Sequence, residues 1–319
     1  MIFIFYIKES NNIDEFIVFS FSLPLFLKKL FFYTCKLFNT VLIKENVITL
    51  PYLQNDLISS TKIKKIYNKL NKFFIKNDIH TIALSTCLSQ NDEFKNYFYS
   101  ANFDILDGRW IFKFLAFDVL HYIAKTECKS INEYEVSILT NSYNQTIKEN
   151  IILFAQNVKV LNVITNNINN FKDIASELYK AFGISIKISN NRKKALLRTN
   201  VVLNFDFPEE VFNKYSLPPL GTIVNFDSKI NITSKLFNGI NANFYKISTG
   251  SNVLGIFKSD GLIPCFPLEV LYESLYYKMG SFSDVISYFV KDNVSVSGLI
   301  GNNGILNVSE FSAKLPNSS

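Results

Sequence analysis

Tyr134-Glu135-Val136-Ser137-Ile138-Leu139-Thr140-Asn141-Ser142-Tyr143-Asn144-Gln145 is the stretch on which the reading of this chain turns. Its first half, Val136 to Thr140, is a short apolar run of the kind a fully buried strand requires. Its second half is polar, and from Asn144 a helical pattern continues to Asn157. The alternation then repeats. Val158 to Thr165 predicts a strand, and Phe171 to Phe182 a helix that Gly183 stops in a C-cap position. Ile184 to Ile188 predicts a strand, Arg192 to Leu197 a short helix and Val201 to Phe205 a further strand. Pro208, suited to a helix start, opens a short helix to Tyr215, and Thr222 to Phe226 predicts the fifth strand. Short apolar strands joined by right-handed helical crossovers build an α/β, doubly wound parallel sheet.

The flanking regions read less regularly. Ahead of this unit the sequence predicts strands at Ile2 to Ile7 and Phe16 to Phe21, then a helix at Leu25 to Phe38. A short extended piece, Val47 to Leu50, is stopped by Pro51. A helix from Ser60 to Lys76 follows, then a strand at Thr81 to Ser85, a helix at Asn91 to Ser100 and a strand at Phe103 to Leu106. A helix from Arg109 to about Lys125 closes the region, which makes it a smaller α/β layer. After the central unit come helices at Leu268 to Met279 and Phe282 to Phe289. A hairpin follows, turning on Gly301-Asn302-Asn303-Gly304. The polar end, Ser312 to Ser319, reads as frayed. Three segments result: an N-terminal α/β domain (1–129), the doubly wound domain (130–250), and C-terminal helices with a hairpin (251–319) that pack back.

Composition excludes several classes of function. With 319 residues and 48% hydrophobic content, a sizeable core is available and global disorder is excluded. The 31 Phe, the abundance of Asn, Ile and Lys, and a mere three arginines (Arg109, Arg192, Arg198) fit the codon bias of an AT-rich genome, so a low-GC bacterium is the expected source. Net charge is +6 and the pI about 8.9, but 27 acidic residues are scattered among the bases, so no nucleic-acid partner is expected. The densest basic run, Lys62 to Lys72, places Ile63, Ile66 and Leu70 on one face and reads as an amphipathic helix with a solvated lysine face. Cys35, Cys87, Cys128 and Cys265 are far apart. With His80 and His121 they form no metal-ligand spacing, so no metal site is expected and each cysteine reads as a small buried apolar residue. Wide cysteine spacing fits a reducing cytoplasm. The uncharged run Phe16 to Leu27 is broken by Pro24 and falls short of the ~20 residues that span a bilayer. Its charge order, acids before and lysines after, is the reverse of a signal peptide.

The segment Lys194-Ala195-Leu196-Leu197-Arg198-Thr199-Asn200-Val201-Val202-Leu203-Asn204 resembles the fourth-strand region of NAD(P)-binding, amino-acid-dehydrogenase-like Rossmann domains, a group that includes shikimate dehydrogenase and glutamyl-tRNA reductase. Leu217 to Asn225 is similar to their next loop and strand. The resemblance spans 134–247 and implies a Rossmann-like fold with a dinucleotide at the first strand-to-helix turn. That turn departs from the family pattern. Where such domains carry G-x-G-x-x-G or G-x-G-x-x-A, this chain has Thr140 to Gln145 without a glycine. Glycines there let backbone amides approach a pyrophosphate. Asn141, Ser142 and Asn144 read as helix caps, with phosphate contact as the alternative. At the end of the second strand, Thr165-Asn166-Asn167 replaces the acid that holds a ribose. Thr165, Asn166 and Asn204 stay as candidate contacts. No cofactor is confirmed by these positions, and NADP is the one the resemblance leaves open. No catalytic residue carries over, because no segment matches the families' catalytic motifs.

Other positions carry weaker signals. In Asp107-Gly108-Arg109-Trp110, Arg109 is a candidate clamp for a carboxylate or phosphate, against a plain turn and helix start. His121 lies eleven residues beyond Trp110, on about the same face of one continuous helix, and is a candidate ligand contact beside Arg109. Ser85-Thr86-Cys87 ends a buried strand, and Glu269 and Glu273 share a helix face that reads as solvated. Three functions stay open: a cofactor-altered, non-catalytic protein of ligand or partner binding; an NADP-dependent oxidoreductase with a divergent loop; and a peripheral membrane or assembly protein that uses its aromatic N-terminal helix. A homo-oligomer or protein partner is compatible with each.

Overall fold

The computed structural model describes residues 4–10, 25–53, 59–259 and 262–312. The predicted strand at Phe16 to Phe21 and nearly all of the polar C-terminal end lie outside the described residues. Two units are present, Met1–Gly108 with Gly255–Tyr277, and Arg109–Leu254 with Lys278–Ser319. Of the two closing helices, Leu268–Tyr276 therefore belongs to the first unit and Phe282–Lys291 to the second.

The first unit is built on a five-stranded sheet. Its strands are β1 (Ile4–Ser10), β2 (Leu42–Lys44), β3 (Val47–Leu53), β4 (Thr81–Leu84) and β5 (Asp104–Leu106), in the order β2-β3-β1-β4-β5. All neighbours are parallel except β2 with β3. The amphipathic helix Ser60–Lys76 buries Ile63, Ile66, Leu70 and Phe74, the apolar stripe its sequence period predicts. They pack into one core with Ile7, Ile48, Ile82 and Phe98. Pro51 does not end its strand. The register slips between Glu9 and Ser10, which pair with Leu50 and Leu53, so the missing proline N–H falls where the ladder is interrupted.

The second unit holds a six-stranded sheet: β6 (Glu135–Leu139), β7 (Val160–Ile164), β8 (Lys187–Ser189), β9 (Val201–Asn204), β10 (Thr222–Asn225) and β11 (Ile240–Ala242). Its order is β11-β10-β9-β6-β7-β8, and every pairing is parallel. Counted from its own first strand this is 3-2-1-4-5-6, the order of dinucleotide-binding sheets. The α/β, Rossmann-like doubly wound fold is therefore present, with one more strand, β11, than the sequence predicts. Helices Gln145–Asn157 and Lys172–Phe182 form as predicted, the second ending at Gly183 with φ +68°.

Two helices differ from expectation. Arg192 to Leu197 forms turns, because the Asn191 side chain accepts the Lys193 and Lys194 amides at 3.1 Å each and holds the chain in a local loop. The helix expected from Arg109 to Lys125 is two helices, Arg109–Phe114 and Ala116–Thr126. At Leu115 the amide is shared between the carbonyls of Ile111 (3.2 Å) and Phe112 (3.1 Å), a tightening that redirects the second helix. A small antiparallel sheet completes this unit, from β12 (Phe244–Ser248), β13 (Ser295–Gly301) and β14 (Gly304–Ile305). Its β13–β14 hairpin turns at Asn302-Asn303, as the glycine-bearing sequence predicts.

Candidate functional site

In an open parallel sheet, ligands settle outside the carboxyl ends of the strands, where the strand order reverses. Here that place lies between β6 and β9, where Leu139 pairs with Asn204. The loop leaving β6 carries the residues a phosphate would meet. Two of its amides are already taken. Asp206, two residues past β9, accepts the Asn141 amide at 2.7 Å and the Ser142 amide at 2.8 Å. The Thr140 hydroxyl donates to the same carboxylate at 3.0 Å. A negative charge therefore sits at the start of helix Gln145–Asn157, where the helix dipole favours one, but it belongs to the protein. Asn144 caps that helix, its side-chain oxygen accepting the Ile147 amide at 3.0 Å.

The loop after β7 is tied to the same place. Asn166 donates its amide to the Asn141 side-chain oxygen at 2.9 Å, and Asn167 donates its side-chain amide to the Asn141 carbonyl at 3.0 Å. Thr165 is buried, and its hydroxyl accepts the Asn167 amide at 3.0 Å. The cavity beside Ser142, Asn144 and Asp206 measures about 190 Å³. Small-molecule pockets generally run from roughly 300 to 1,000 Å³, so it is too small for a dinucleotide. The structure thus brings Asn141, Ser142, Asn144, Thr165 and Asn166 onto two neighbouring loops, with the amides of Asn141 and Ser142 turned to an internal carboxylate. Sequence reasoning missed Asp206. Its one sequence signal is an acid two residues past β9, and the pairing of β9 with β6 that gives it a role is not written in the sequence.

Asn204 faces the other way, into a ladder of asparagines at the ends of β9, β10 and β11. Its side chain donates to Asn225 at 3.1 Å and to the Phe207 carbonyl at 3.0 Å. Fully buried Asn225 donates to the side-chain oxygens of Asn241 and Asn243, both at 2.9 Å. Asn243 continues to Asn302 at 2.8 Å. Arg109 is drawn into this framework. Its guanidinium donates to the carbonyls of Phe226 (3.2 Å) and Asn243 (3.3 Å) and lies 5.3 Å from the centre of the Phe244 ring. A guanidinium engaged this way is a buttress for the strand ends.

His121 is placed elsewhere in the same unit. The break at Leu115 removes the continuous helix on which a shared face with Arg109 was expected, and the cavity that His121 lines does not include Arg109. That cavity is about 710 Å³ and is bounded by Asp118, His121 and Lys125 on one helix, with Ser248, Ser295 and Ser297 on the strands. Burial raises the Asp118 carboxyl above its ordinary range, and the charge of His121 partly offsets this. The Phe117 ring lies edge-on to His121 at 4.9 Å.

In the first unit, Ser85 caps a short helix and donates its hydroxyl to the buried Glu9 carboxylate. Partial desolvation of its sulfur and then the nearby Glu9 push the Cys87 thiol above its ordinary range, which disfavours the nucleophilic thiolate. Cys87 and Cys128 are exposed, contrary to the buried reading, while Cys35 and Cys265 are buried. Glu269 and Glu273 are both buried, where a solvated face was expected. Their helix is buried from Glu269 through Glu273, and Glu273 accepts the Gly108 amide. Among the described residues no group of three or more His, Cys, Asp or Glu is arranged to hold a metal.

No family model matches the chain, and no curated protein matches it. Among solved structures, L-tryptophan dehydrogenase from Nostoc punctiforme is similar at 6% identity and a TM-score of 0.31, over 91% of this chain and 87% of that one. A putative aspartate carbamoyltransferase from Trypanosoma cruzi is similar at 11% identity and a TM-score of 0.24, over 70% of this chain and 69% of that one. Scores this low carry no argument about family or chemistry, and the fold assignment rests on the strand order and pairing above.

Proposed function

We propose that this is a Rossmann-like binding protein whose dinucleotide crevice is closed, a non-catalytic or cofactor-altered relative of NAD(P)-dependent dehydrogenases. One observation carries the reading: the Asp206 carboxylate on the amides of Asn141 and Ser142. An incoming phosphate would have to displace a carboxylate, and would meet its charge at close range in a site half shielded from water. The residues at this place do not fit a dinucleotide held in the usual way. The cavity along Asp118, His121 and Lys125 supports a ligand-binding role, since it offers a cation, an imidazole and several hydroxyls in a volume suited to a small polar molecule. A cytoplasmic location belongs to the same proposal and rests on the cysteine spacing.

The test is a thermal-shift titration with NAD, NADP, their reduced forms, ATP and S-adenosylmethionine. A ligand at a hundred times its dissociation constant stabilises by ~2.7 kcal/mol, which moves the melting point by several degrees. No nucleotide should produce that shift. A saturable shift with NADP or NADPH would replace this reading with an oxidoreductase that has a divergent loop.

A further inference from the structure

The helix Leu25–Phe38 in the first unit carries the most concentrated exposed apolar surface among the described residues. Leu30, Phe31, Tyr33, Leu37 and Phe38 are 42% to 74% exposed, while Phe32 and Cys35 on the opposite side are buried. At 100° per residue, the exposed five cover an arc of about 160°. Aromatic and leucine side chains left in water at this density mark a surface that is covered in use.

The two helices of this face carry charge of one sign. The helix has Lys28, Lys29 and Lys36 and no acid. The helix Ser60–Lys76 adds six lysines, again with no acid. Five of them, Lys62, Lys65, Lys69, Lys72 and Lys76, follow i, i+3, i+7, i+10 and i+14, so they share one exposed stripe about 80° wide. That stripe borders the apolar helix. Lys69 donates to the carbonyls of Phe38 (2.6 Å) and Asn39 (3.0 Å), and Lys36 and Lys62, one from each helix, both lie within 6 Å of the Tyr52 ring centre, at 5.7 and 5.9 Å.

We infer that this face docks on an anionic lipid surface, with the helix Leu25–Phe38 lying in the plane of the interface. Fourteen residues give a helix of about 21 Å, short of the ~30 Å hydrocarbon core, so it lies on the bilayer and does not cross it. An apolar aromatic arc flanked by lysines is the pattern of an interfacial helix. Protein interfaces are depleted in lysine, whereas a leaflet with negative headgroups attracts each lysine near its surface. This inference does not depend on the closed crevice of the second unit.

Co-sedimentation of the full chain with unilamellar vesicles tests it. Binding is expected to vesicles of phosphatidylcholine with phosphatidylserine at ~0.1 M salt, and not to phosphatidylcholine alone. It should be lost at ~1 M salt, where screening shortens the range of the charges to about 3 Å. Lys65→Gln and Lys72→Gln should each weaken partition roughly fivefold. Leu37→Ser with Phe38→Ser should abolish it, with the circular dichroism unchanged because both side chains face water. Absence of binding to the anionic vesicles, or equal binding to the neutral ones, overturns the inference. So does self-association in lipid-free light scattering that the Leu37→Ser, Phe38→Ser variant abolishes, which would assign the face to a second copy of the chain.

Discussion

The two parallel sheets close their strand ends with different chemistry. At the ends of β9, β10 and β11 the buried polar groups are amides. An amide both donates and accepts, so Asn204, Asn225, Asn241 and Asn243 satisfy one another and the neighbouring backbone. At the end of β1 the buried residues are Lys8, Glu9 and Ser10, at 5%, 4% and 0% exposure. One Glu9 oxygen accepts from Ser85, while its other oxygen and the Ser10 hydroxyl meet no partner among the described residues. A ladder of amides matches its side-chain donors with neutral acceptors, and Arg109 joins it at backbone carbonyls. A sheet end made of charges and hydroxyls depends on groups beyond its own strands, because a carboxylate only accepts and an ammonium only donates.

The largest test of this contrast is Asn225→Ala, which removes the centre of the ladder. It strips the two bonds donated to Asn241 and Asn243 and the one accepted from Asn204, and should cost about 3 kcal/mol in chemical denaturation. A loss no greater than that of an exposed asparagine would break the comparison. Asp206→Ala should cost less, about 2 kcal/mol, since the carboxylate is half exposed though its bonds are charge-assisted. Here inorganic phosphate should restore part of the lost melting temperature, more than it does for the parent chain, by occupying the amides of Asn141 and Ser142. The smallest effect is in the first sheet. Ser10→Ala removes a buried hydroxyl without a partner and should leave stability unchanged or raise it by up to about 1 kcal/mol. A clear loss would show that Ser10 is satisfied after all and would sharpen the contrast in the other direction.

The second sheet was legible because a buried parallel strand writes itself as a bare apolar run. Val136 to Leu139 and Val201 to Leu203 are buried throughout. The strands that escaped notice were those without such a run. Ile240–Ala242 has three residues, and Phe244–Ser248 buries only Tyr245 and Ile247, an alternation that a period-two search would have found. Asp206 was invisible for a different reason. Its role comes from the register that sets β9 beside β6, and an apolar run records that a strand exists without recording its neighbour. The break at Leu115 had no sequence signal, since neither glycine nor proline stands there. Glu269 and Glu273 show the limit of periodicity. Their spacing establishes that they share a face, and says nothing of whether the helix has a wet face at all.

The Asp206 carboxylate also has a genetic consequence. A chain that lacked only the glycines of its first turn could regain a phosphate site by mutation within that turn. This one must also change residue 206, on a separate segment of the gene, and Asp206→Ala alone is expected to weaken the fold. Removing the carboxylate alone frees two amides for a small phosphate but not for a pyrophosphate, which still needs the glycines, so the route back to a dinucleotide-binding loop passes through a less stable intermediate, a valley that selection does not readily cross.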